Sequence, residues 1–173
     1  MTDLPLSRPV EVRRLPSDGL VVDVVANAEE RSALARDLDI PAVDRLEARL
    51  TVTPARGGAR VRGHVSATVV QTCVVSLEPF EAPVEEDVDI RFSRSLRAAP
   101  AAEIDLTAQG DDAPEPLEGD VIDVGAVVAE HLALGLDPYP RKPDARFEDI
   151  VEPLEEAPAR SPFADLSGLL RKP

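Results

Sequence analysis

Cysteine occurs once in the 173 residues, at Cys73, and tryptophan does not occur. One thiol closes no internal disulfide, a usage that agrees with a reducing compartment. Aromatic residues make up only 3% of the chain, so the platforms on which nucleotide bases stack are scarce. The core has to be built from Val, Leu, Ile and Ala. Long apolar runs are missing as well. No stretch reaches the roughly 18 residues of a membrane-spanning helix. The opening MTDLPLSRPV lacks the charged start and apolar run of a secretory leader. The expected setting is therefore the cytoplasm, with no membrane partner. There is also no G-x-G-x-x-G, P-loop, G-x-S-x-G or H-E-x-x-H. Their absence moves the expectation from catalysis toward binding or assembly, with no cofactor and no catalytic residue assigned.

What the chain has in excess is negative charge, and it is unevenly placed. The net charge is −14; residues 1–80 hold 10 Lys and Arg against 11 Asp and Glu, residues 81–160 hold 7 against 21, and residues 161–173 hold 2 against 1. Such a chain repels phosphate backbones at long range. Contact with nucleic acid then calls for a local basic face or a protein intermediary.

The length suits one domain with a real core. Short strands are expected at Pro9–Leu15 and Gly19–Val25. Asn27 with Glu30 has capping-box spacing, which predicts a helix over Ala28–Leu38 carrying Leu34 and Leu38 on its buried face. The stretches VDRLEARLTV and ARVRGHVSATVVQT both alternate around the turn signal PARGG. With a loop at Ala55–Gly58, Val52 faces Val61, Leu50 faces Gly63, Ala48 faces Val65 and Leu46 faces Ala67. The opposite face then pairs Thr51 with Arg62, Arg49 with His64, Glu47 with Ser66 and Arg45 with Thr68. One face is apolar or small throughout and the other polar, which supports both the hairpin and its register.

A loop is expected over LEPFEAP, then a strand in VEEDVDIRF with Val84, Val88, Ile90 and Phe92 on its apolar side. Little order is expected from Ser93 to Gly119, apart from a short strand at EIDL. Asp123 is placed to cap a second helix whose apolar surface is Val124, Val127, Val128, His131 and Leu134 or Leu132. The expected organisation is a single α+β domain over 1–140, an acidic proline-containing linker over 141–160 and a short docking helix over 161–173. The domain is an antiparallel sheet, free to curl toward a barrel, with two helices. The tail is expected to be disordered up to SPFADLSGLLRK, where Ser161 and Pro162 open the terminal helix.

Cys73 lacks the partners of a metal site. Ser76 stands where C-x-x-C would place the second thiol, and the chain's imidazoles are only His64 and His131. The plainer reading of Cys73 is a small buried residue closing a core strand. Arg49, Arg62 and His64, with Arg45, Arg56 and Arg60 nearby, form a candidate RNA or phosphate contact. The competing reading is a solvated face whose arginines pair with acidic neighbours. His131 reads as a partly buried, satisfied imidazole. Glu85, Asp87 and Asp89 read either as acid/base or divalent-metal groups, or as a wet edge that discourages strand pairing. In the terminal helix, Phe163, Leu166 and Leu170 share one face and are the candidate partner-docking residues, unless the helix folds back on its own domain.

Several of these segments together resemble the YceD family of large ribosomal RNA subunit accumulation proteins. CVVSLEPF, from Cys73 through Pro79 to Phe80, is similar to the family's strand-ending C-x-x-C segment with its proline and aromatic or apolar residue. GDVIDVGAVVAEHLALGLDPYP resembles a later capped helix with a proline stop, and SPFADLSGLLRK resembles the terminal P-F-A-x-L-x-x-L segment. Cys73 and Pro79 are thus family-motif positions of unknown role, and Ser76 departs from the pattern. If some relatives hold a metal through the cysteine pair, this chain is not expected to. The resemblance implies a non-enzymatic, bacterial, cytoplasmic factor supporting 23S rRNA accumulation and ribosome biogenesis. Its partner would be large-subunit rRNA or a large-subunit ribosomal protein. The alternatives are an acidic chaperone or adaptor for such a basic protein, and a metal-dependent rRNA-processing nuclease.

Overall fold

A computed structural model describes residues 5–94, 114–117 and 119–146. Its centre is three long antiparallel strands: β3 (Ala42–Ala55), β4 (Gly58–Thr72) and β5 (Pro79–Ser93). β2 (Leu20–Val25) pairs antiparallel with β3, and β6 (Glu115–Pro116) pairs parallel with the end of β5, giving the order β2-β3-β4-β5-β6. β1 (Pro9–Glu11) and β7 (Val121–Asp123) form a separate two-stranded sheet. The helices are α1 (Ala28–Asp37) and α2 (Val124–Leu134).

The expected hairpin register holds at every predicted pair, from Pro54 opposite Ala59 to Arg45 opposite Thr68. The loop is tighter than expected. Ala55 also pairs with Gly58, leaving a two-residue turn in which Gly57 takes φ +82°. Alternation sends Leu46, Ala48, Leu50 and Val52 inward with Val61, Val65, Ala67 and Val69, and all are buried. The capping box at Asn27 forms as read, with its side chain accepting the N–H groups of Glu29 and Glu30. α1 packs on β3 and brings Leu34 and Ala35 into the core. α2 packs on β4 and β5 and adds Val124, Val127, Val128 and Leu132. Leu132, not Leu134, is the buried member of the predicted pair; Leu134 is exposed.

The α+β expectation stands, but the sheet does not close. Among the described residues β2 and β6 end the sheet unpaired with one another, so it is open and not a barrel. The helices supply the second layer that closure would otherwise have provided. Two boundaries also move. The first strand stops at Glu11, because after Glu11 the chain winds into a 3-10 turn over Val12–Arg14, in which Leu15 donates its N–H to the Val12 carbonyl. β5 begins at Pro79, five residues before the predicted start, despite its two prolines. The ladder explains this. Cys73 N–H bonds Glu78 O and Arg94 N–H bonds Gly57 O, so even-numbered β5 residues bond β4 and odd-numbered ones point away. Pro79 and Pro83 therefore remove no ladder donor.

Asp123 does more than cap α2. Its carboxylate accepts from Gly125 and Ala126 and also from Ser7 Oγ (2.6 Å) and Arg8 N–H (2.7 Å), tying the N-terminal segment to the helix start. The expected EIDL strand, the end of the expected linker and the terminal helix with Phe163, Leu166 and Leu170 lie outside the described residues. Lys142, in the linker's first residues, lies against the turn that follows β4.

Gly63 faces Leu50 across the hairpin, with φ +156°. A Cβ there would overlap the Arg49 carbonyl and press on Leu50 Cα and Cδ2, both at 2.8 Å. Gly63→Ala is expected to destabilise the fold by about 3 kcal/mol. Thermal unfolding beside Gly57→Ala, which meets only Ser93 Oγ at 3.9 Å, checks this: equal losses would show the Gly63 approach to be unimportant.

Candidate functional site

The polar face of the sheet is ordered by the same register as the core. Each outward residue of one strand lies beside an outward residue of the next, so Asp23, Arg49, His64 and Asp87 form one row across β2 to β5. Val21, Thr51, Arg62 and Asp89 form a second row, and Val25, Glu47, Ser66 and Glu85 a third. The structure thus brings together all three residues of the candidate phosphate contact, and gives each an acidic partner.

Arg60 donates to Asp89 through Nε and Nη2 at 2.6 and 2.7 Å, and Arg62 Nε lies 3.2 Å from both oxygens of the same carboxylate. Two guanidinium groups, Arg60 foremost, hold Asp89 down to about 2. His64 is bracketed, with Nδ1 2.9 Å from Asp87 and Nε2 2.6 Å from Glu85. Only the imidazolium donates from both nitrogens, so this geometry belongs to the charged form. Asp87 first and Glu85 second raise the His64 pKa above its ordinary value. Ser66 and His64 in turn lower that of Glu85. Arg45 forks onto Glu47 at 2.9 and 2.6 Å. Arg49 is held more loosely, 3.7 Å from Asp23.

The second notable region is the β4–β5 turn. Cys73 is fully buried, and its sulfur accepts N–H groups from Val75, Ser76 and Lys142, each at 3.4 Å. Those donors, with the Ser76 hydroxyl, pull the thiol down to about 6. Lys142 Nζ reaches Glu78 at 2.9 Å and Val74 N–H reaches the Pro140 carbonyl, fastening the chain after α2 onto the turn. Leu77 takes φ +58° and stands 76% exposed near its tip. Pro79 opens β5 opposite Thr72. Nothing in the local sequence signals the Lys142 contact, because the partners lie 69 positions apart. His131 is half-buried and bonds the Val127 carbonyl through Nδ1 at 2.9 Å. Among the described residues no group of three or more His, Cys, Asp or Glu is placed to hold a metal ion. No helix there is long and apolar enough to cross a membrane.

The turn at Cys73, the capped α2 and all but the last two residues of SPFADLSGLLRK fall within residues 61–170, which match the family model described as Large ribosomal RNA subunit accumulation protein YceD. The chain belongs to the YceD family. That match takes in β4, β5, α2 and the far end of the chain, and it begins at Val61 inside the hairpin. β2 and α1 precede it. No curated protein matches the chain, and no solved structure does. The family is named for accumulation of large-subunit ribosomal RNA and not for a reaction.

The His64 bracket has a pH signature. A raised folded-state pKa contributes stability that is complete below the unfolded value of about 6.5 and is lost as pH rises through the folded value. An NMR titration is expected to place His64 above the ordinary histidine range. Asp87→Asn with Glu85→Gln should return it there. An unshifted His64 in the native chain would contradict the bracketed geometry.

Proposed function

We propose that this YceD-family chain supports 23S rRNA accumulation and ribosome biogenesis without chemistry of its own, by contacting a basic large-subunit ribosomal protein. One observation carries the choice of a protein over RNA phosphate. Arg60, Arg62 and His64 are all committed to the β5 carboxylates Asp89, Asp87 and Glu85 at 2.6–3.2 Å. A phosphate would have to displace those carboxylates to reach the cations. The carboxylates themselves remain accessible: the Asp87 side chain is 95% exposed. A lysine or arginine of a partner can join this grid without breaking it. The charge balance of −14 over residues 81–160 favours the same class of partner.

In this reading Arg49, Arg62 and His64 orient the acidic row and do not grip RNA directly. Residues 161–173 act as a docking helix through Phe163, Leu166 and Leu170, beyond a linker over 141–160. The factor works in the cytoplasm, where assembly takes place. A nuclease reading is weaker, because Glu85, Asp87 and Asp89 are already engaged by His64 and two arginines and are poorly disposed to share a metal ion.

The test is affinity capture of tagged full-length chain from growing bacterial cells, with and without RNase. Large-subunit proteins are expected to remain bound after RNase. Charge reversal at Glu85, Asp87 and Asp89 should lower capture by about tenfold or more, while Arg49→Ala with Arg62→Ala leaves it nearly unchanged. Loss of all ribosomal material on RNase treatment, with a steep salt dependence abolished by the arginine substitutions, would establish direct RNA contact instead. A chain ending at Arg160 should bind more weakly.

A further inference from the structure

The two long sides of the sheet are protected very differently. On β5 the outward backbone positions include Pro79 and Pro83, which carry no N–H, and Glu85, Asp87 and Asp89, whose charges discourage an added strand. β2 carries only one of these devices, the single charge of Asp23. Its sequence, LVVDVV, contains no proline, no lysine and no bulge against β3. Leu20, Val21 and Val25 are 39%, 49% and 63% exposed.

The direction of its backbone groups follows from one bond. Ala26 N–H donates to Leu46 O at 3.0 Å, in line with the β2–β3 register, so Leu20, Val22 and Val24 bond β3. Val21, Asp23 and Val25 then turn their N–H and C=O groups away from the sheet. Among the described residues these groups have one partner, the Arg8 guanidinium 3.5 Å from the Val25 carbonyl. Five main-chain groups in an extended row therefore face outward, beside exposed valine side chains.

We propose that the open edge of β2 takes up an extended basic segment of a protein partner as an added strand. A Lys or Arg of that segment sits opposite Asp23, with apolar residues opposite Val21 and Val25. Main-chain bonds supply the affinity, and the side-chain pattern supplies the choice. Charge selects the occupant. Asp23 is the only charged residue of β2 and is held loosely by Arg49 at 3.7 Å, so a partner cation can share its carboxylate. A second copy is disfavoured. Each copy carries −14, and two-fold pairing centred on Asp23 would set its carboxylates directly opposite each other. This inference rests on the protein-partner reading above and names the surface that such a partner uses.

The experiment titrates isotope-labelled full-length chain with a short synthetic peptide that presents valine, lysine and valine at successive alternate positions, separated by threonines, and with the counterpart that carries glutamate in place of the lysine, followed by backbone amide NMR. Shifts at the Val21, Asp23 and Val25 amides are expected, with the lysine peptide favoured by about tenfold. Val21→Pro removes an outward N–H but no bond to β3, and should weaken binding by about tenfold while core amide signals stay in place. Asp23→Lys leaves the edge intact and should reverse the preference toward the glutamate peptide. Shifts confined to β5 or the polar face, equal binding by a folded Val21→Pro chain, or a dimer in sedimentation that Val21→Pro disperses would each overturn the proposal. Capture of large-subunit proteins by the same preparations separates the two ideas. If peptide misses β2 while capture persists, the edge inference fails alone; if wild-type chain captures none, the proposed function fails.

Discussion

The antiparallel register of β3 on β4, carried on into β5, is the constraint on which the rest of the molecule depends. Side chains alternate with period two, so a slip of one residue would carry Leu50 and Val65 to water and Arg49 and His64 into the core. The same pairing that stacks Val52, Val61 and Ile90 sets His64 beside Asp87 and Arg62 beside Asp89. Core and polar face are two consequences of one alignment. Gly63 marks a point of close approach in that alignment, since only a residue without Cβ lets the Arg49 carbonyl pass.

An acidic chain could have left its basic residues as isolated attractive points. On the polar face of the sheet the fold does the reverse and spends Arg45, Arg60, Arg62 and His64 on neighbouring carboxylates. Exposed pairs of this kind contribute only about 0–1 kcal/mol each, so their importance lies less in stability than in what they withhold from phosphate. The acidic row on β5, in contrast, keeps lone pairs open to solvent. A surface built in this way discriminates by charge pattern, which is the property that the proposed contact with a basic protein requires.

The segments flanking the described fold, around Ser7 and Lys142, are held by contacts with distant parts of the chain. Asp123 closes α2 and holds Ser7 and Arg8, and Gly125 allows the backbone at Leu6 to approach the helix. At the opposite side of α2, Lys142 donates to the Cys73 sulfur and bridges to Glu78. The Cys73 turn keeps its shape through N–H···S bonds and the Ser76 hydroxyl, with no second thiol. The YceD family, to which this architecture belongs, is named for large-subunit rRNA accumulation.

Local order was legible where a periodic pattern and a chemical punctuation mark coincided. Asn27 with Glu30, Asp123 before an apolar helix and the two alternating stretches around PARGG determined both helices and the hairpin down to its pairs, because capping and alternation are short-range requirements. The three members of the candidate contact were legible as neighbours for the same reason. Their partners were not. That Arg62 shares Asp89 with Arg60, that His64 lies between two carboxylates, and that Lys142 reaches Cys73 depend on how β5 and the segment after α2 return to β4. The extension of β5 through Pro79 and Pro83 was decided in the same way, by which of its faces met β4. By itself the sequence determined which face of the hairpin strands is inside and which outside, because burial follows period and polarity. Only the tertiary structure decided which charges are spent and which strand edge is open, because both depend on pairings between segments that no local pattern encodes.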